Sequence, residues 1–111
     1  MTVSNDHSLI ARLNDQLRRT FAGGRVVMTA SVAALPDTEQ ARVIEAVRAF
    51  NAFNEDDDPQ GEHDFGSFAI GGATFFWKID YYDRTLSRGS EDPSDPKQTV
   101  RVLTIMLESE Y

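Results

Sequence analysis

The octapeptide GEHDFGSF, Gly61 to Phe68, sets Glu62, His63 and Asp64 side by side between two glycines. Each of the three is a potential metal ligand, and a histidine is the side chain best suited to act as a general base near neutral pH. Consecutive residues of an extended chain point to opposite sides, however, so the three cannot converge on one ion from a strand. A zinc site of the usual kind needs three or four ligands. The chain has no cysteine, and its only other histidine is His7. A hard-cation site would have to recruit Asp80, Asp83, Glu91 or Asp92 from later segments. The run NEDDDPQGEHDF does not meet the calcium-loop pattern, because its acids are consecutive rather than alternating. No glycine-rich phosphate loop, nucleophile elbow or paired-histidine helix is present. The favoured reading of His63 and Asp64 is therefore structural: they bond backbone groups and orient a turn into the next strand. No catalytic residue, metal or cofactor is expected. The competing reading is a small metal-dependent hydrolase built on His63, Asp64 and Asp80.

Charge supplies a second line of inference. The 111 residues carry a net charge of −7, and the imbalance lies entirely in one half. Residues 1–53 hold six basic residues against five acidic, whereas residues 54–111 hold five against thirteen. Such a surface repels phosphate backbones, which disfavours direct nucleic-acid binding, and it attracts basic proteins. Glu55, Asp56, Asp57 and Asp58, together with Glu91 and Asp92, are the expected partner-facing acids. The absence of cysteine excludes disulfides and thiolate chemistry and suits a reducing cytoplasm. No segment approaches the roughly 18 apolar residues of a membrane span, so no membrane partner is expected.

The elements that must position these residues read as follows. Leu9, Ile10, Leu13, Leu17 and Phe21 fall at helical spacing, capped by Asp6 or Ser8 and ended by Gly23-Gly24. Arg12, Asp15, Arg18 and Arg19 fall on its other faces. RVVMTASV, Arg25 to Val32, is rich in β-branched residues and reads as a strand. Pro36, Asp37 and Thr38 open a second helix with Val43, Ile44, Val47 and Phe50 as its apolar stripe. The loop Asn54 to Gly61 is too acidic for a core. Gly71-Gly72 joins DFGSFAI to ATFFWKIDYYD as a hairpin, with Phe75, Trp77, Ile79 and Tyr81 on the core face. Phe76 and Tyr82 lie on the opposite face, where exposure would mark a contact surface. Asp95 before Pro96 suits a helix N-cap, so the last segment is expected to be helical, with an alternating strand reading of Val100, Val102, Thr104 and Met106 kept open.

The blocks GEHDFGSF, FFWKIDYYD, GSEDPSDP and RVLTIMLESEY, in this order, resemble a small bacterial family, a domain of unknown function. The resemblance is clearest from about Phe50 onward and extends to LNDQLRRT and GGRVVMT. It implies a place among the accessory genes of plasmids and other mobile elements, and it brings no catalytic residues with it. The expected fold is a single α+β domain, helix–strand–helix–hairpin–helix, with its helices packed on one face of an antiparallel sheet. Phe75, Trp77, Ile79, Leu13, Leu17, Ile44, Val47 and Leu103 are expected to share its core. The expected function is that of a non-enzymatic acidic interaction protein acting on a basic, nucleic-acid-handling partner, with inhibition of a host defence system as its role.

Overall fold

The computed structural model describes residues 6–111. Helix α1 spans His7–Thr20, and the Asp6 carboxylate caps it by accepting from the Leu9 amide at 3.1 Å. It ends two residues before the glycine pair, at Phe21, whose backbone is left-handed at φ 60°. Gly24, past that end, has a close-approach role. A Cβ there would lie 2.6 Å from the Arg101 carbonyl oxygen, so only glycine lets the chain pass so near the last strand.

Strand β1 covers only Arg25–Met28. The predicted strand stops there because Thr29 turns the chain into the single-turn helix α2, Ala30–Ala33, which seats Val32 in the core. Helix α3 runs Asp37–Arg48, with Asp37 and Glu39 in its first turn favourably placed against the helix dipole. The hairpin follows as expected. Strand β2, Phe65–Ile70, and strand β3, Ala73–Tyr82, are joined by Gly71 and Gly72 at φ 59° and 83°. Two consecutive positive φ angles match the right-handed twist of the flanking strands, and glycine adopts them without penalty.

The last segment corrects the helical expectation, because Val100–Leu107 is strand β4. Asp95 does cap a turn, accepting from the Lys97 amide and the Gln98 side chain, but the turn does not propagate. Strand β3 offers a full edge of backbone donors and acceptors, and pairing from Phe75↔Leu107 to Tyr82↔Val100 satisfies them. The sheet is mixed rather than antiparallel. Its order is β1-β4-β3-β2, and β1 runs parallel to β4.

Alternation divides the two faces of this sheet. On one, Phe75, Trp77, Ile79, Leu103 and Ile105 pack with Leu17, Val32, Val43 and Val47 from the helices. Leu13 and Ile44, expected in that core, are only half-buried. Arg18, expected off the apolar stripe of α1, is fully buried. Gly66 pairs opposite Trp77, and the indole lies directly over its backbone; a Cβ there would overlap Trp77 and reach within 2.8 Å of Phe50. The opposite face presents Phe76, Lys78, Asp80 and Tyr82, all half-buried. No helix among the described residues is long and apolar enough to cross a membrane.

Candidate functional site

Two groups of polar residues are brought together by this fold, one on each side of the sheet. The first surrounds the loop that leads into β2. Asp58, expected among the solvated partner-facing acids, is instead buried. Its Oδ1 accepts from the backbone amides of Glu62 and His63 at 3.0 and 3.1 Å. Two backbone donors explain the burial, since a carboxylate leaves water at tolerable cost only when its oxygens are bonded. His63 follows with a left-handed backbone, φ 56°, which is unusual for a residue with a Cβ. Its ring lies flat on Phe53, centroids 3.8 Å apart and planes within 6°. Its Nδ1 donates to Asp15 at 3.0 Å, and its Nε2 lies 3.8 Å from Asp58.

Glu62 turns the other way along α1. Its Oε2 meets His7 Nδ1 at 2.6 Å, and its Oε1 accepts from the Tyr81 hydroxyl at 3.0 Å. Asn14, fully buried, uses its whole amide. Nδ2 donates to the Glu62 carbonyl at 2.9 Å and to the Tyr81 hydroxyl at 2.8 Å, while Oδ1 accepts from Arg101 Nε at 2.8 Å. Burial beside Glu62 and Asp64 pushes the Tyr81 phenol well above its ordinary range, so it stays a donor at any physiological pH. Arg18 closes the network from below. It donates to Asp15 at 3.0 Å and to the carbonyls of Val47 and Arg48, and its guanidinium lies 5.5 Å from the ring centroids of Phe53 and Trp77. Burial lowers its pKa, and the Asp15 carboxylate opposes that shift.

The sequence points to Glu62 and His63 but not to their partners on α1. The signal for two of those partners is nevertheless in the spacing. Asn14 and Arg18 fall four and eight residues after Ile10, on the same stripe as Leu17. A polar residue on an apolar helical stripe is one that must find a buried partner.

The second group lies on the open face. Asp56, Asp57, Pro59, Asp64, Phe65, Lys78, Asp80 and Tyr111 line a groove of about 390 Å³. Phe65, Phe76 and Tyr111 form an edge-to-face cluster at its end, with centroids 5.1 to 6.1 Å apart. Tyr111 is 75% exposed. Desolvation, followed by repulsion from Glu62, raises the Asp64 carboxyl above its ordinary pKa. Lys78 pairs with Asp80 at 3.1 Å.

The candidate residues thus separate. Asp64 and Asp80 share the open-face groove, whereas His63 is held on the helix side between Asp15 and Asp58. Asp56 and Asp57 line that same groove, and Glu55 is exposed beside them. Glu91 lines a different groove with Arg84, Arg88 and Lys97. Asp92 is occupied locally, accepting from Ser94 at 2.6 Å. Among the described residues, no three histidine or carboxylate side chains converge as a metal site, and the His63 ring is hydrogen-bonded to no hydroxyl.

A search of curated proteins and of solved structures found no match to the chain. A family model described as "Protein of unknown function (DUF3768)" matches residues 28–110, which include Asp58, Glu62, His63, Tyr81, Arg101 and the open-face groove apart from Tyr111, but not α1. The chain belongs to the DUF3768 family.

Proposed function

We propose that this protein is a non-enzymatic interaction module that offers the open face of its sheet to a basic protein partner in the bacterial cytoplasm. The observation that carries this reading is the pairing of an open-face aromatic cluster, half-buried Phe65 and Phe76 with exposed Tyr111, with four carboxylates, Asp56, Asp57, Asp64 and Asp80, that line the adjoining groove. Aromatic side chains supply the apolar anchor of an interface at low entropic cost, and surrounding like charges steer a partner of opposite sign. A protein that itself holds DNA or RNA has the matching basic surface. Inhibition of such a partner, in conflict between mobile elements and their hosts, is the role that fits a small acidic competitor for a nucleic-acid-binding face.

The hydrolase alternative draws less support from the geometry, because His63 does not line the groove that holds Asp64 and Asp80. The His63 ring, stacked on Phe53 and hydrogen-bonded to Asp15, suits holding a strained turn in place.

The test uses a partner retained from the natural host by the immobilised full chain and then purified. Its association rate with the parent protein should fall as salt rises through the physiological range, where the screening length is about 8 Å. Asp56→Asn with Asp57→Asn should slow association, and Phe65→Ala should speed dissociation, while Glu91→Gln leaves both unchanged. Equal rates for parent and groove variants, at low and high salt alike, would overturn the reading.

A further inference from the structure

On the helix side of the molecule, between the end of α1 and the start of β4, lies a cleft of about 560 Å³ with a charge opposite to that of the protein as a whole. Arg25, Arg84 and Arg101 line it, together with Gln16, Gly23, Gly24 and Thr99, and no carboxylate contributes to its wall. This is unexpected in a chain of net charge −7, whose acids outnumber its basic residues eighteen to eleven. The arginine–carboxylate pairs among the described residues are Arg18–Asp15 and Arg88–Asp83. None of the three cleft arginines takes part in such a pair.

Arg101 makes the case specific. Its residue is 3% exposed, and a guanidinium stays charged at any pH a protein meets. Buried charges are ordinarily paired, because desolvation costs several kcal/mol that only an opposite charge or a full set of acceptors offsets. Here the acceptors are neutral: the Asn14 Oδ1 and the Pro93 carbonyl, with the Tyr81 ring face 5.3 Å away. Those contacts fix the guanidinium in place without a direct ion pair, and the Glu62 carboxylate, bonded to the Tyr81 hydroxyl, acts on it only through space. Arg25 and Arg84 are exposed and line the same cleft. Gly24 brings the cleft floor against β4, and Leu13, Pro96 and Val100 supply an apolar wall.

We propose that this cleft binds a small phosphorylated molecule, whose phosphate oxygens are taken by the guanidinium groups of Arg25, Arg84 and Arg101. Planar guanidinium forks match phosphate oxygens in pairs, and three cations suit a group bearing two or more negative charges better than a single carboxylate. The volume falls within the range of small-molecule sites. A nucleic-acid strand is the less favoured ligand, because the surrounding surface of the second half is strongly acidic. The inference is independent of the open-face reading, since it draws on none of the groove residues.

Isothermal titration of the full-length chain with inorganic pyrophosphate at low salt tests it. One saturable site is expected, and Arg25→Gln and Arg84→Gln should each weaken binding by about tenfold, the loss of one charge-assisted contact. Both residues are exposed, so thermal stability should not change, which separates lost binding from lost folding. Arg101→Lys keeps the charge but removes the fork, and should weaken binding further. The absence of saturable binding in the millimolar range, or binding indifferent to the two exposed substitutions, would overturn the proposal. Preferential binding of succinate over pyrophosphate would overturn the phosphate assignment.

Discussion

The two faces of the sheet are made by the same alternating strands and use polar residues in opposite ways. On the helix-covered face, Asp58, Asn14 and Arg18 are buried and committed to bonds within the molecule. On the open face, Asp56, Asp57, Asp64 and Asp80 surround a groove whose only cation among the described residues is Lys78. Carboxylates adjacent in sequence, Asp57 and Asp58, belong to different worlds. The acidic run is therefore not one patch. Burial converts a charge into a structural element when backbone amides are there to receive it, and solvent keeps its neighbour free for a partner.

The largest expected effect lies on the covered face. Trp77 is fully buried between Phe50, Phe53 and Arg18, so Trp77→Ala should cost about 3–5 kcal/mol in denaturant unfolding. The indole N–H has no hydrogen-bond partner among the described residues, so Trp77→Phe forfeits packing only and should cost less. Phe76→Ala, one residue along but on the half-buried face, should fall well below Trp77→Ala. Equal losses at Trp77 and Phe76 would erase the distinction between the faces.

An intermediate effect separates the two adjacent aspartates. Asp58→Ala leaves the Glu62 and His63 amides without their acceptor and should cost about 1–3 kcal/mol. Asp57→Ala, whose carboxylate is exposed, should stay within about 0.5 kcal/mol of the parent. Matched melting temperatures for the two variants would show that Asp58 is held no more tightly than its neighbour.

The smallest effect is a pH dependence on the open face. Desolvation and nearby acids raise the folded-state pKa of Asp64 above its unfolded value. Between those two values the native state binds more protons than the unfolded chain, so Asp64 lowers stability as pH rises through that window. Asp64→Asn should therefore raise the melting temperature slightly at neutral pH. The gain should vanish below the ordinary aspartate range, where both states of the parent are protonated. A melting temperature unchanged or lowered at neutral pH would remove the electrostatic cost assigned to this groove.

Several elements were legible because their causes are local. The Asp6 cap, the amphipathic stripe through Val43 and Val47, the Gly71-Gly72 turn and the alternation of Phe75, Trp77, Ile79 and Tyr81 each depend on residues within a few positions of one another. The GEHDFGSF block announced Glu62 and His63 as unusual, and both are held in specific networks. The segment after Pro96 carried a local helix signal at Asp95 that was correct for one turn and misleading for the rest.

What the amino-acid sequence determined by itself is the content of most of its elements, the identity of the central core strand and the acidity of the second half. The tertiary structure decided the rest. It made Val100–Leu107 a strand, because an unpaired edge of β3 outweighs a single-turn helix signal. It buried Arg18 by bringing the carbonyls of Val47 and Arg48, 29 and 30 residues away, within bonding distance. It also gathered Arg25, Arg84 and Arg101, far apart in the chain, around one cleft without a carboxylate. These outcomes depend on partners tens of residues away, and no local pattern of residue types encodes where such partners will meet.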